Sequence, residues 1–326
     1  MRNETQTTQK NKGEIMRSFN NNRGFGIELE ITSNKGKTHV ANAVTNRLRE
    51  INPDYICVEE SYNHRTRTYW KIVNDGSLRS SRGCPNTMEI VSPILKGENG
   101  KQQLFAVLDA LNNTYGLDVK VNKSCGVHVH HDLTNWRESR RADFANNMNN
   151  LISLVAKYEH AIYRLLPESR QRGYCNPVRN QYTNYNRFDQ SSYKARIKTL
   201  KRSHQNGSVG NIQGGRYSGL NFQNLFTRGS VEFRYHQGST NFSKLWNWIV
   251  FTQAFIETAE IKKSISYTEA LTRASVNVAL TRLRRDLGLY KCENDNELQN
   301  CNEEIKRRYH LYKNINVSRS SINQAQ

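Results

Sequence analysis

Phe25-Gly26-Ile27-Glu28-Leu29-Glu30-Ile31 places acids and aliphatic side chains on alternate residues. Side chains of a strand alternate between faces, so Glu28 and Glu30 share one face and Ile27, Leu29 and Ile31 the other. Three more segments repeat the pattern: Thr87-Met88-Glu89-Ile90-Val91, Gly126-Val127-His128-Val129-His130 and Val231-Glu232-Phe233-Arg234-Tyr235. His128 and His130 share a face, as do Glu232 and Arg234. One face of such a sheet packs on a core while the other gathers acids, imidazoles and an arginine. Like charges on one face repel unless a cation sits among them. Three or more acids with a histidine form a hard, oxygen-rich set suited to Mg²⁺ or Mn²⁺; zinc would call for more His or Cys.

The pattern continues outward from these strands. Val40, Ala43, Val44, Leu48 and Ile51 stand at helical spacing and predict a helix over 38–51. Strands are expected near 55–60 and 67–74, followed by a turn at Asp75-Gly76-Ser77. Helices are expected at 101–114, 138–166, 242–261, 268–287 and 296–312. Strands at 217–224 and 230–237 are joined by a tight turn at Thr227-Arg228-Gly229. Residues 167–215 show no clear period and read as a long functional insert. Strands linked by hairpins and helices, without a regular βαβ rhythm, predict an α+β domain with an antiparallel sheet. Trp246 and Trp248 read as helix core, and His131 points away from His128 and His130. Cys125 reads as a small strand residue.

Composition bounds the function. The chain has 326 residues and a net charge of +19, a field that attracts polyanions. Residues 164–216 carry 11 Lys/Arg against 2 Asp/Glu, with Tyr174, Tyr182, Tyr185, Phe188 and Tyr193 interleaved. Basic residues among aromatics suit phosphates and stacked bases, so the insert is expected to contact a polyanion or nucleic acid. No apolar run reaches the roughly 18 residues of a membrane span, so no membrane partner is expected. Residues 1–22 lack an apolar signal core and read as a flexible arm. The six cysteines form no Cys-x-x-Cys pair, which predicts reduced thiols and a cytoplasmic protein. No Walker-type glycine-rich loop is present.

Six segments, taken in order, resemble the motif series of the amidoligase enzymes, of the carboxylate–amine ligase superfamily that includes glutamine synthetase and glutamate–cysteine ligase. They are Phe25-Gly26-Ile27-Glu28-Leu29-Glu30, Asp75-Gly76-Ser77-Leu78, Met88-Glu89-Ile90-Val91-Ser92-Pro93, Cys125-Gly126-Val127-His128-Val129-His130, Arg216-Tyr217-Ser218-Gly219-Leu220-Asn221 and Val231-Glu232-Phe233-Arg234. The resemblance spans residues 23–260. It implies a glutamine synthetase-like curved antiparallel sheet with helices on its outer face. The catalytic domain would cover 23–265, with the basic insert 167–215 inside it and a helical extension at 266–326. It further implies an ATP- and Mg²⁺-dependent (or Mn²⁺-dependent) ligase joining a carboxylate to an amine through an acyl phosphate. By position, Glu28, Glu30, Glu89, His128 and Glu232 would hold metal, and His130 is a second candidate on the same face. Arg234 would stabilise the transferred phosphoryl group, with His128 at the metal–phosphate junction. Arg216 and Asn221 would bind nucleotide phosphate or substrate carboxylate, and Asp75 and Ser77 would contact substrate.

Two other classes use the same residues. A metal-dependent oxygenase or hydrolase would use His128, His130 and a glutamate as a facial triad. A basic nucleic-acid-binding protein would keep the acids as structural groups.

Overall fold

The buried side chains Phe25, Ile27, Leu29 and Ile31 fix the central strand β1, Phe25–Ser33. In the computed structural model, the described residues are 18–312 except 171–172, 174, 186–188, 266–274, 291 and 293. The chain continues through α1 (Lys37–Arg49), β2 (Cys57–Glu59), β3 (Trp70–Val73), β4 (Asn86–Val91), α2 (Gly97–Asn113), β5 (Val119–Lys120) and β6 (Gly126–Asp132). Next come α3 (Thr134–Arg137), α4 (Arg141–Tyr163), a 3₁₀ turn (Glu168–Arg170), α5 (Val178–Gln181) and α6 (Gln190–Asn206). The last elements are β7 (Leu220–Asn221), α7 (Leu225–Arg228), β8 (Ser230–Gln237), α8 (Phe242–Ile261), α9 (Val276–Asp286) and α10 (Asn296–Tyr312).

The strands form one open, curved sheet in the order β2-β3-β4-β1-β6-β8-β7, with β5 also on β1. Pairing is antiparallel, as expected, except that β2 and β3 run parallel. The apolar face is covered by helices. A single core joins Ile27, Val129 and Phe233 of the sheet to Leu108 of α2, Leu151 and Val155 of α4 and Phe251 of α8. Burial of this apolar area is the main stabilising contribution.

The C-terminal helices α9 and α10 belong to that same core through Leu280, Leu283, Leu298 and Ile305. The helical extension expected from residue 266 packs on the domain where it is described, and part of the expected 268–287 helix lies outside the described residues. Residues 1–17 of the expected arm also lie outside them. Its end is anchored: the Phe19 ring meets Trp246 edge-on, and Gln253 donates to the Asn20 carbonyl at 2.7 Å.

The insert differs from its expected lack of structure. α6 is a 17-residue helix, capped by the Asp189 carboxylate on Ser192 N and ended by Gly207 in the left-handed region. Its buried stripe is Ser192, Arg196, Leu200 and Ser203. The helical period is thus carried mostly by polar residues, which an aliphatic pattern cannot reveal. Tyr182 and Tyr185 are buried in the core and Arg196 donates to Asn149 at 3.1 Å, so these residues do not form a stacking surface for bases. Tyr174 and Phe188 lie outside the described residues. The expected strand 217–224 shrinks to Leu220–Asn221, and the expected tight turn is the one-turn helix α7.

Candidate active site

Four strands bring the alternating acids and imidazoles side by side. Across β1 and β4, Glu30 faces Glu89; across β1 and β6, Glu28 faces His128. Across β6 and β8, His130 faces Glu232, and across β8 and β7, Glu232 faces Asn221. The row therefore follows from strand register alone, since directly opposed residues lie side by side on one face.

The distances are short. His128 Nδ1 lies 2.9 Å from Glu28 Oε2 and 3.4 Å from Glu232 Oε1, while its Nε2 lies 3.5 Å from Glu30 Oε1. His130 Nε2 lies 3.1 Å from Glu28 Oε1. Arg234 Nη1 pairs with Glu232 Oε1. Its Nε is buried without a hydrogen-bond partner among the described residues. A buried N–H left unpaired is costly.

Electrostatics point the same way. Burial, together with the charges of Glu28, Glu30, Asp75 and Glu232, pushes the Glu89 carboxyl well above its ordinary range. Burial would also raise Glu28, but His130 and His128 outweigh it and hold Glu28 well below that range. Burial opposes protonation of His130, yet Glu28 raises it. Burial likewise opposes the Arg234 charge, while Glu232 and Glu28 reinforce it. Crowded acids of this kind are relieved by a divalent cation. Three groups place their donor atoms within 4.8 Å of one another: Glu28–Glu89–His128, Glu28–His130–Glu232 and Glu30–Asp75–Glu89. Carboxylate-rich groups with one imidazole or none fit Mg²⁺ or Mn²⁺. Among the described residues, none of these groups contains both histidines, although His128 and His130 each reach a different oxygen of Glu28.

A cavity of about 480 Å³ lies over this face, and a second of about 210 Å³ shares Glu28, His64, Glu89 and Arg228 with it. The larger cavity is lined by every expected site residue except His130, which lines the smaller one. Asp75, expected as a substrate contact, joins Glu30 and Glu89 in a donor group, and Ser77 N donates to it at 2.7 Å in an Asx turn. Asn221 lines the cavity, yet its amide is already engaged. Nδ2 donates to Glu232 Oε2 at 2.8 Å, and Oδ1 accepts from Gln213 at 2.7 Å. These contacts hold the Glu232 carboxylate within the cavity wall. Arg216 is exposed at the mouth, its guanidinium 5.1 Å from the centre of the Tyr217 ring.

Glycine is required beside Arg234. A Cβ on Gly219 would stand 2.1 Å from the Tyr235 ring, while the Gly219 carbonyl accepts from Arg234 N at 2.8 Å. Sequence reasoning missed Arg170, Arg228, Tyr62 and His64, which all line the larger cavity. Arg170 stands in an aperiodic stretch, and Tyr62 and His64 in a loop. Arg228 was read as part of a tight turn. None of them follows a strand pattern.

A family model described as "Putative amidoligase enzyme" matches residues 21–256. The chain belongs to the amidoligase family. No curated protein matches the sequence. Among solved structures, this amidoligase-family chain is similar to a bifunctional glutathione synthetase from Pasteurella multocida, at 13% identity and a TM-score of 0.41, covering 93% of this chain and 48% of that one. It is also similar to a protein described as a "novel glutamine synthase homolog", at 11% identity and a TM-score of 0.44, covering 93% and 70%. The chain thus spans about half the length of the bifunctional enzyme. Among the described residues, no helix is long and apolar enough to cross a membrane.

Proposed function

We propose that this amidoligase-family protein is an ATP-dependent ligase that joins a carboxylate to an amine. The observation that carries this reading is the row of Glu30, Glu89, Glu28, His128, His130 and Glu232 across four strands, ending beside Arg234 with its unpartnered Nε. Family membership supplies the reaction class, and the site supplies groups suited to it.

In the proposed reaction, a substrate carboxylate oxygen attacks the γ-phosphorus of ATP. The bond to the bridging oxygen breaks, ADP departs and an acyl phosphate remains. The amine nitrogen then attacks the acyl carbon, phosphate leaves, and the nitrogen loses a proton. Glu28, Glu30, Glu89, Glu232, His128 and Asp75 would hold divalent cations, which when bound neutralise phosphate charge. Arg234 would meet the phosphoryl oxygens. Its planar fork serves Glu232 and an anion together, as a lysine cannot. Asn221 and Gln213 would keep the Glu232 carboxylate in place. Arg216 at the mouth would attract the negative substrate.

Lys194, Lys198, Lys201 and Arg202 are exposed along α6. They suit an acidic acceptor or another polyanion, outside the cavity. The ligase reading is tested by screening purified protein for Mg²⁺-dependent phosphate release from ATP across paired carboxylates and amines. A pair that releases phosphate only when both partners are present supports it. ATP-independent chemistry on any pair would contradict it.

A further inference from the structure

Between Phe233, opposite Val129, and His236, opposite Val127, β8 takes three residue steps where β6 takes two. A bulge of this kind leaves backbone groups outside the ladder and re-aims a side chain. Here it contains Arg234 and Tyr235. One side chain from outside the sheet takes both of their carbonyls. Arg170 Nη2 donates to the Arg234 carbonyl at 2.8 Å and Nε to the Tyr235 carbonyl at 3.3 Å.

Arg170 ends the 3₁₀ turn that opens the insert, and it is only 5% exposed. It lies over Gly126, where a Cβ would stand 3.0 Å from Nη2 and 3.3 Å from Nη1. Among the described residues it has no ion-pair partner, and Nη1 makes no hydrogen bond. The nearby Glu30 carboxylate is taken by Gly126 N. Yet Arg170 lines the same cavity as Arg234. A nearly buried guanidinium without a counter-charge is costly unless an anion joins it.

We infer that Arg170 is the positioning residue for Arg234. Nε and Nη2 fix the bulge that aims Arg234, so Arg170 acts on the incoming phosphoryl group through Arg234. The insert thus reaches the Arg234 bulge through Arg170, with Cys175 Sγ of the same insert also on the Arg234 carbonyl at 3.0 Å. This inference rests on the ligase reading.

The test compares binding of Mg-ADP alone with binding of Mg-ADP plus fluoroaluminate, a mimic of the phosphoryl group in transfer. Melting-temperature titrations on wild type, Arg170→Gln, Arg170→Lys, Arg234→Lys and the Arg170→Gln/Arg234→Lys double variant provide the readout. Wild type should bind the mimic more tightly than Mg-ADP alone. Arg170→Gln should cut that gain by about 10- to 100-fold, the scale on which outer-shell partners act, with Mg-ADP affinity unchanged. It should add little in the Arg234→Lys background, because both act on one group. Arg170→Lys, which keeps the charge but loses the planar fork, should restore part of the gain, and it carries the comparison if the Gln variant does not fold. Additive losses in the double variant would overturn the inference, as would an undiminished gain in Arg170→Gln. A wild-type protein that binds no Mg-nucleotide would overturn the ligase reading, and this inference with it.

Discussion

Arg234→Lys separates phosphoryl stabilisation from a structural ion pair. In the folded protein, Arg234 gives Nη1 to Glu232 and keeps a buried Nε without a partner. Lysine retains the positive charge but supplies a single ammonium. Its N–H donors radiate from one nitrogen, so they cannot reproduce the separate Nη1 and Nε positions of the guanidinium. The donors lost are those left over for the transferred group. Losing one preorganised donor costs roughly 10²- to 10³-fold in turnover, or about 3–4 kcal/mol. Turnover should therefore fall on the order of 10²-fold or more, while Mg-ATP affinity changes much less. Because the pair with Glu232 can re-form through the ammonium, the melting temperature should fall only slightly. ATP turnover and melting temperature are measured on the same preparation. Near-normal turnover would refute the reasoning. So would a large drop in melting temperature with activity that merely tracks the folded fraction, because the arginine would then be a structural partner of Glu232.

Mg²⁺ with ATP should raise the melting temperature, because the crowded acids gain a counter-charge; Glu28→Gln with Glu232→Gln should remove most of that rise, and a full rise in the double variant would move the cation site elsewhere. A separate pH dependence belongs to Glu159 of α4. Burial raises its carboxyl from 4.5 to about 7, despite hydrogen bonds donated by Tyr235 Oη at 2.6 Å and Val178 N at 3.0 Å. Between these two values the folded protein holds a proton that the unfolded chain has released. This contribution is fully present below about pH 4.5 and is lost as pH rises through about 7. The loss amounts to roughly 3 kcal/mol. Glu159→Gln should flatten that slope in denaturant titrations run from pH 4.5 to 8, and an unchanged slope would assign it to other groups.

Much of the site was legible because a strand has a period of two. Glu28, Glu30, Glu89, His128, His130 and Glu232 were assigned to one face from alternation, and strand register sets them side by side. What alternation could not show is where it breaks. Val231 to Tyr235 reads as unbroken alternation, which would put His236 on the polar face, yet the bulge turns His236 into the core against Trp248, with ring centres 5.1 Å apart. The same break gives Arg170 its partners, so that residue's importance depends on tertiary geometry alone. α6 was hidden for a different reason. Its buried positions are filled by Ser192, Arg196 and Ser203, which satisfy polar neighbours and leave no aliphatic stripe. Asp75 shows a third limit, since a turn motif gives the residue but not the carboxylates it joins. The parallel pairing of β2 and β3 is likewise set by how the intervening loop folds, with Lys71 Nζ donating to the Asn63 and Arg65 carbonyls at 3.0 and 2.9 Å.

The most direct test of an ATP-dependent ligase follows oxygen. Candidate carboxylates labelled with ¹⁸O are incubated with the protein, Mg-ATP and an amine, and the released phosphate is analysed by mass spectrometry. Attack of the carboxylate on the γ-phosphorus predicts that one labelled oxygen leaves with each phosphate, in step with amide and ADP. Amide formed with unlabelled phosphate, or without ATP, would contradict it.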